Sequence, residues 1–322
     1  MAYARGLVET GKGLFAWLQP DGSWGWSNAG LIVDGDQSLL VDTLFDVPLT
    51  AEMLAAMRDA TGLGGADITC LVNTHANGDH THGNCLCSNA EIIASAASAR
   101  EMEGFGAHQM AAMKAAGASG ALGVAGRYFA DIFAPFEFAG IEERAPTRTF
   151  SGQLDLKVGD RDVSLIEVGP AHTAGDVLVH VPDARTVFTG DILFIEGTPI
   201  MWAGPVGNWI KACERILAMD VDTIVPGHGP LTDKAGVRAV ADYLEHINRE
   251  ARARYDAGLD AETAARDIAA SGGLGRFASW SDAERIVVNV DTLYREFSGD
   301  TTPPDAMALF DRMGRFYYDR RG

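Results

Sequence analysis

One run, Thr74-His-Ala-Asn-Gly-Asp-His-Thr-His-Gly-Asn84, constrains this chain more than any other. It gathers three imidazoles (His75, His80 and His82) and the Asp79 carboxylate. It directly follows Asp67-Ile-Thr-Cys-Leu-Val-Asn73, an apolar, β-branched stretch that predicts a buried strand. Neutral imidazole and carboxylate at a strand end form the donor set that a zinc- or iron-type divalent ion needs. Taken alone, the cluster also allows the lesser reading of a solvated His-rich turn, because surface loops also collect such residues.

Three later segments repeat the same logic. Gly169-Pro-Ala-His-Thr-Ala-Gly-Asp176 places His172 after the strand-like run Val163–Val168. Val187-Phe-Thr-Gly-Asp-Ile-Leu193 sets Asp191 at the end of an apolar run, and Val221-Asp-Thr-Ile-Val-Pro-Gly-His-Gly229 does the same for His228. Each time one ligand-type residue follows a short strand and lies beside glycine, which lets backbone approach closely. Strand ends on one edge of a sheet converge on one point, and four such segments define a site.

With these four motifs the chain resembles the metallo-β-lactamase superfamily, whose hallmark is His-x-His-x-Asp-His followed by a His, an Asp and a His in separate segments. The resemblance runs from about residue 12 to 230. Asn28-Ala-Gly-Leu-Ile-Val-Asp-Gly-Asp-Gln-Ser-Leu-Leu-Val-Asp42 looks like the family's opening strands, with Asp42 in the place of a buttressing carboxylate. The resemblance implies an α/β fold, an αββα sandwich of the metallo-β-lactamase type. It also implies a first metal site holding His75 and His172, a second holding Asp79, His80 and His228, and Asp191 bridging the two.

One position departs from the family pattern. Asn77 stands where the family has its second His. An amide oxygen is a weak, neutral ligand beside an imidazole. The expectation is therefore either an asymmetric pair with a loose first ion or a single working ion in the second site. His82 falls beyond the motif's usual ligands and is expected to hydrogen-bond behind them rather than bind metal.

The charge balance narrows the function classes. A formal net charge of −18, from 44 acidic against 26 basic side chains, argues against a nucleic-acid partner. Met1–Lys12 has no apolar core of signal-peptide length, and no stretch approaches a membrane span. The expectation is a soluble cytoplasmic protein with no membrane partner. The four cysteines suggest no disulfide framework, and Cys85-Leu-Cys87 lacks the two-residue spacing of structural zinc loops.

The chain divides into a catalytic part, residues 1–231, and a helical C-terminal extension, 232–322. In the first part, Leu14–Leu18 and the Asp21-Gly22 turn signal predict a hairpin, and 48–62 fits a helix with Leu49, Met53, Leu54 and Met57 on one face. Residues 101–147 form an Ala- and Gly-rich helical insertion whose Tyr128, Phe129, Phe133, Phe136 and Phe138 are expected either to cover the metal or to form their own core. In the extension, Ser281-Asp-Ala-Glu284 predicts a capping box opening a helix with Ile286, Val287, Val290 and Leu293 on one side. That extension would complete a substrate pocket, form a homodimer interface or clad the core.

The function implied is metal-dependent hydrolysis of an ester, lactone or thioester by a metal-activated hydroxide, with Asp79 and Asp191 as the catalytic carboxylates. Zinc suffices for that reaction, though a mixed His/carboxylate site also suits iron or manganese. Trp24, Trp26, Met201 and Trp202 are the expected substrate-binding residues, which favours a small molecule with an apolar portion. Two rivals remain: an iron-dependent oxygenase on the same fold, and a non-catalytic metal- or ligand-binding protein whose site has decayed at Asn77.

Overall fold

A computed structural model describes residues 3–321. Two sheets face each other. The first runs, in spatial order, β1 (Gly6–Gly11), β2 (Leu14–Leu18), β3 (Ala29–Asp34), β4 (Gln37–Val41), β5 (Cys70–Val72), β6 (Glu91–Ser95) and β7 (Arg148–Phe150). The second runs β12 (Thr223–Val225), β11 (Thr186–Phe188), β10 (Val177–Val181), β9 (Arg161–Glu167) and β8 (Gln153–Val158). Leu14, Ile32, Leu39 and Val72 of one sheet and Val163, Val179, Phe188 and Val225 of the other form one apolar layer between them. The sheets touch where Gly30 on β3 leaves room for the Phe188 ring, a space that any Cβ at residue 30 would occupy.

Helices cover both outer faces. On the first sheet lies α1 (Val47–Thr61), capped by the Asp46 carboxylate, which accepts from the Leu49 amide at 2.8 Å. Its Leu49, Met53, Leu54 and Met57 are buried, as their spacing predicts. The insertion supplies α3 (Ala107–Ala118) and α4 (Gly123–Ile132), after the short α2 (Ala96–Glu101). On the side of the second sheet lie α5 (Val206–Ala218) and α6 (Lys234–Asp256); α8 (Ile286–Ser298) packs on α6, α7 (Ala261–Ala270) on α8, and α9 (Ala306–Asp319) on α4 and α8. Trp209 of α5, Leu244 of α6, Val290 of α8 and Met313 of α9 belong to a single apolar cluster, so the core runs unbroken across residue 231.

Several local expectations shift. The Asp21-Gly22 signal falls within a longer loop, residues 19–28, that joins the antiparallel pair β2 and β3. The strand expected over 67–73 shortens to Cys70–Val72, because a three-ten turn occupies Gly65–Asp67. The capping box at Ser281–Glu284 does not form. Asp282 takes a left-handed backbone (φ 55°) and caps nothing, while Glu284 turns inward and is only 6% exposed. The insertion's aromatics pack on the body of the protein: Phe133 and Phe136 meet Phe45 at 5.3 and 4.9 Å between ring centroids. No described helix is long and apolar enough to cross a membrane.

Candidate metal centre

The second sheet explains why three of the motifs meet. β9 and β11 both run antiparallel to β10, and β12 runs parallel to β11. Their carboxyl ends therefore share one edge, where His172 follows β9, Asp191 follows β11 and His228 follows β12. The fourth motif arrives from β5 of the other sheet, whose end opens into the three-ten turn Gly78–His80. That turn is pinned by its backbone: the His80 carbonyl accepts from Asn73 Nδ2 and from the Thr43 amide, both at 3.0 Å.

All four candidate imidazoles are turned the same way. His80 Nδ1 donates to Asp42 Oδ2 at 2.9 Å, His172 Nδ1 to the Ile200 carbonyl at 2.6 Å and His228 Nδ1 to the Gly22 carbonyl at 3.0 Å. The Thr74 hydroxyl gives its proton to Asp42, at 2.7 Å, so its oxygen is free to accept from His75 Nδ1 at 3.1 Å. With every Nδ1 protonated, each Nε2 lone pair faces the centre, the arrangement that orients ligating histidines. Asp42 sustains two of these bonds from the buttressing position, with a left-handed backbone (φ 63°).

Asp191 is the hub. Its Oδ2 lies 3.3 Å from His172 Nε2, 3.4 Å from His228 Nε2 and 3.7 Å from His75 Nε2, and its Oδ1 lies 3.1 Å from His80 Nε2. Asp79 Oδ2 adds 3.3 Å to His228 Nε2 and 3.8 Å to His80 Nε2. A tetrahedron of donors about 2.1 Å from an ion has edges of about 3.4 Å, so these separations suit a zinc-sized cation. Nε2 of His75 and His80 and Oδ1 of Asp191 are buried with no hydrogen-bond partner. Three orphaned polar atoms converging on one point fit a cation, since unpaired buried groups are otherwise costly. Gly227 allows this crowding, because a Cβ there would collide with Asp191 Oδ1.

The charges agree. Two carboxylates give the pocket a formal charge of −2 that one divalent ion cancels. Burial disfavours charge on His80 and His228, yet Asp191 and Asp79 push the pKa of His80 well up and that of His228 to about 9. Burial alone would raise Asp79, but His80 and His228 bring it down to about 2. Burial, with His80 as a cationic neighbour, keeps His75 well below the ordinary histidine range.

The two triads whose donor atoms all lie within 4.8 Å of one another are His75, His80, Asp191 and Asp79, His80, His228. His172 belongs to neither. Instead its Nε2 meets Asn77 Nδ2 at 3.1 Å. His82 is packed away from the centre, with Nδ1 on the Phe45 carbonyl at 3.2 Å and its ring stacked on Phe45 at 5.6 Å. It therefore bonds backbone and not a candidate ligand, and it does not replace the missing imidazole.

The expected substrate residues separate into two groups. Trp24 and Trp202 are half-buried, and both meet Phe310 of α9, at 6.4 and 6.3 Å. Trp26 is half-buried but turned toward Phe136, at 4.8 Å. Met201 is 0% exposed and sits in the core beneath the helices, so its side chain does not reach an open cleft. Sequence reasoning missed Glu284, Arg285 and Phe310. The Arg285 guanidinium lies 4.4 Å over the Trp24 ring and 5.3 Å from Phe194, which stacks on His228 at 5.0 Å. Only an adjacent charged pair at the head of an apolar helix marked Glu284 and Arg285 in the sequence.

Comparison with known proteins places this geometry among relatives. A family model described as Metallo-beta-lactamase superfamily matches residues 22–228. The Beta-lactamase-like protein 2 homolog of Caenorhabditis elegans is 24% identical over 226 residues, covering 70% of this chain and 63% of that protein. Hydroxyacylglutathione hydrolase of Brucella ovis is 36% identical over 76 residues, covering 24% of this chain and 29% of that protein. The chain thus spans under two thirds of the length of these curated relatives. The structure of the stereoselective inverting sec-alkylsulfatase Pisa1 from Pseudomonas sp. matches with a TM-score of 0.67 at 15% identity, covering 94% of this chain and 52% of that one. At that identity the likeness is one of fold, and it includes the C-terminal helices.

Proposed function

Because the chain belongs to the metallo-beta-lactamase superfamily, we propose that it is a metal-dependent hydrolase of a carbonyl substrate, an ester, lactone or thioester with an apolar portion. The observation that carries this reading is the Asp191 carboxylate within 3.1–3.7 Å of four imidazole Nε2 atoms, three donor atoms of the set being buried without a partner. His75, His80, His172, His228, Asp79 and Asp191 are the proposed ligands, and zinc is the proposed ion. A bound divalent ion supplies a water acidic enough to ionise near neutrality and an electrophile that polarises the carbonyl.

The chain's own residues supply the rest. Asp42 and the Ile200 and Gly22 carbonyls hold the imidazoles in one tautomer and orientation. Asp79 and Asp191 orient the attacking water and take up its proton. Across the reaction a carbon–oxygen bond forms at the acyl carbon and the bond to the leaving oxygen or sulfur breaks. The water's two protons end on the leaving group and the medium or carboxylate. Trp24 and Trp202 are the proposed flanks of the approach.

The test is a panel of activated aryl esters, lactones and thioesters assayed on fully metallated protein. Turnover of at least one member, lost in Asp191→Ala, supports the reading. The catalytic part is proposed to be residues 1–231 and the protein to act in the cytoplasm, with room for a homodimer.

A further inference from the structure

The turn before α8 brings two charged side chains, Glu284 and Arg285, against Trp24 of the β2–β3 loop. Glu284 Oε1 accepts from Trp24 Nε1 at 3.1 Å and from the Tyr128 hydroxyl at 2.9 Å. One oxygen thus ties three separate segments together: the β2–β3 loop, α4 of the insertion and the turn before α8. Burial and the Glu284 carboxylate push the Tyr128 pKa well up, so its hydroxyl stays a donor. Arg285 braces the other side of the same loop, stacked 4.4 Å over Trp24 and bonded to the Thr198 carbonyl at 3.0 Å.

The ring so held is placed with respect to the metal ligands. Trp24 lies two residues past Gly22, whose carbonyl orients His228. The Trp202 amide donates to the His172 carbonyl at 3.0 Å. Phe310 stands between them, 6.4 Å from the first ring and 6.3 Å from the second, and is only half-buried. The three rings therefore form one contiguous, half-buried group, joined through neighbouring backbone to His228 and His172.

We infer that Glu284 is a positioning residue of the substrate site: by accepting from both Trp24 and Tyr128 it sets an aromatic wall of Trp24, Phe310 and Trp202 that grips the flat or apolar part of the substrate. This inference rests on the proposed hydrolase reading for its reaction, but the wall itself binds whether or not bonds break. Aromatic side chains suit this task because they offer large apolar faces with few torsions to freeze.

The experiment compares wild type, Glu284→Gln, Glu284→Ala and Phe310→Ala in two assays. The first measures kcat and KM for 4-nitrophenyl butyrate and 4-nitrophenyl acetate, and the second titrates 4-phenylbutyrate by intrinsic tryptophan fluorescence. Gln keeps an oxygen that accepts both bonds, so Glu284→Gln stays near wild type. Glu284→Ala and Phe310→Ala raise KM for the butyryl ester by roughly five- to tenfold, leave kcat and the acetyl ester nearly unchanged, and weaken 4-phenylbutyrate in parallel. Loss of kcat on both esters with KM unchanged would mean a merely structural role and overturn the inference. So would Glu284→Gln behaving like Glu284→Ala, or a wild type that neither binds 4-phenylbutyrate nor prefers the longer ester. If wild type cleaves neither ester yet 4-phenylbutyrate follows the expected order, the hydrolase reading fails and the wall stands. Phe310→Ala, at a half-exposed helix position, keeps the test alive should Glu284→Ala not fold.

Discussion

The Asn77 amide nitrogen lies 3.1 Å from Nε2 of His172, on the lone pair that a first-site ion would use. An imidazole at residue 77 would point a second lone pair at that ion. The amide instead occupies the one His172 offers. Asp79, His80 and His228 of the second site form a compact triad of their own. The asymmetry has measurable consequences.

Metal content is the first. As purified, the protein should hold its tightest ion through Asp79, His80, Asp191 and His228. His228→Ala should lower metal content more than His75→Ala, measured by elemental analysis of protein purified without added metal. The reverse order would reject the asymmetric site.

Restoring the imidazole is the second. Asn77→His replaces a weak neutral ligand by a strong one and frees His172, so metal stoichiometry should rise toward two ions per chain. Two tight ions already present in the native protein would show that Asn77 is an adequate ligand.

Much of this was legible from the residues. His75, Asp79, His80, His172, Asp191 and His228 each follow an apolar run beside glycine; a shared sheet edge brings His172, Asp191 and His228 together, whereas the facing of the two sheets, which the pattern does not carry, brings His75, Asp79 and His80 to them. Met201 was not legible. Ten residues after Asp191 it occupies a loop by position, yet its amide bonds to Asn289 Oδ1 at 2.8 Å and its side chain is drawn into the core. Tertiary partners from α8 decide that, and local pattern carries no trace of them. Glu284 failed for a related reason: Ser-Asp-Ala-Glu has the spacing of a capping box, but the pull of two donors, the half-buried Trp24 and the buried Tyr128, outweighs one exposed cap.

Trp24 gives a prediction on selectivity. Its ring is half-buried at the mouth, so Trp24→Ala should weaken apolar substrates more than small polar ones. The measure is the ratio of kcat/KM for the two classes, expected to fall by roughly tenfold on the scale of one lost aromatic contact. An unchanged ratio would remove Trp24 from the substrate site.

The C-terminal helices give one on stability. Val290, Leu293, Leu309 and Met313 share a core with Trp209 and Ile224. Each buried large side chain contributes about 1.5–3 kcal/mol, so losing several exceeds the ~5–15 kcal/mol by which a domain is stable. We propose that residues 1–231 alone do not fold cooperatively, although they contain every proposed ligand. Circular dichroism on that fragment checks it, and a sharp thermal transition near that of the whole chain would contradict it.

The most direct test of the central claim joins metal to chemistry. Hydrolysis of 4-nitrophenyl butyrate is measured on protein as purified, after chelation, after zinc is restored, and in Asp191→Ala and Asp79→Ala with their folds checked by circular dichroism. The account predicts activity that disappears with the metal, returns with zinc, and is lost in both variants while the fold persists. A broad ester, lactone and thioester screen that stays silent on fully metallated protein would contradict it, and oxygen consumption by an iron-loaded sample would then favour redox chemistry in its place.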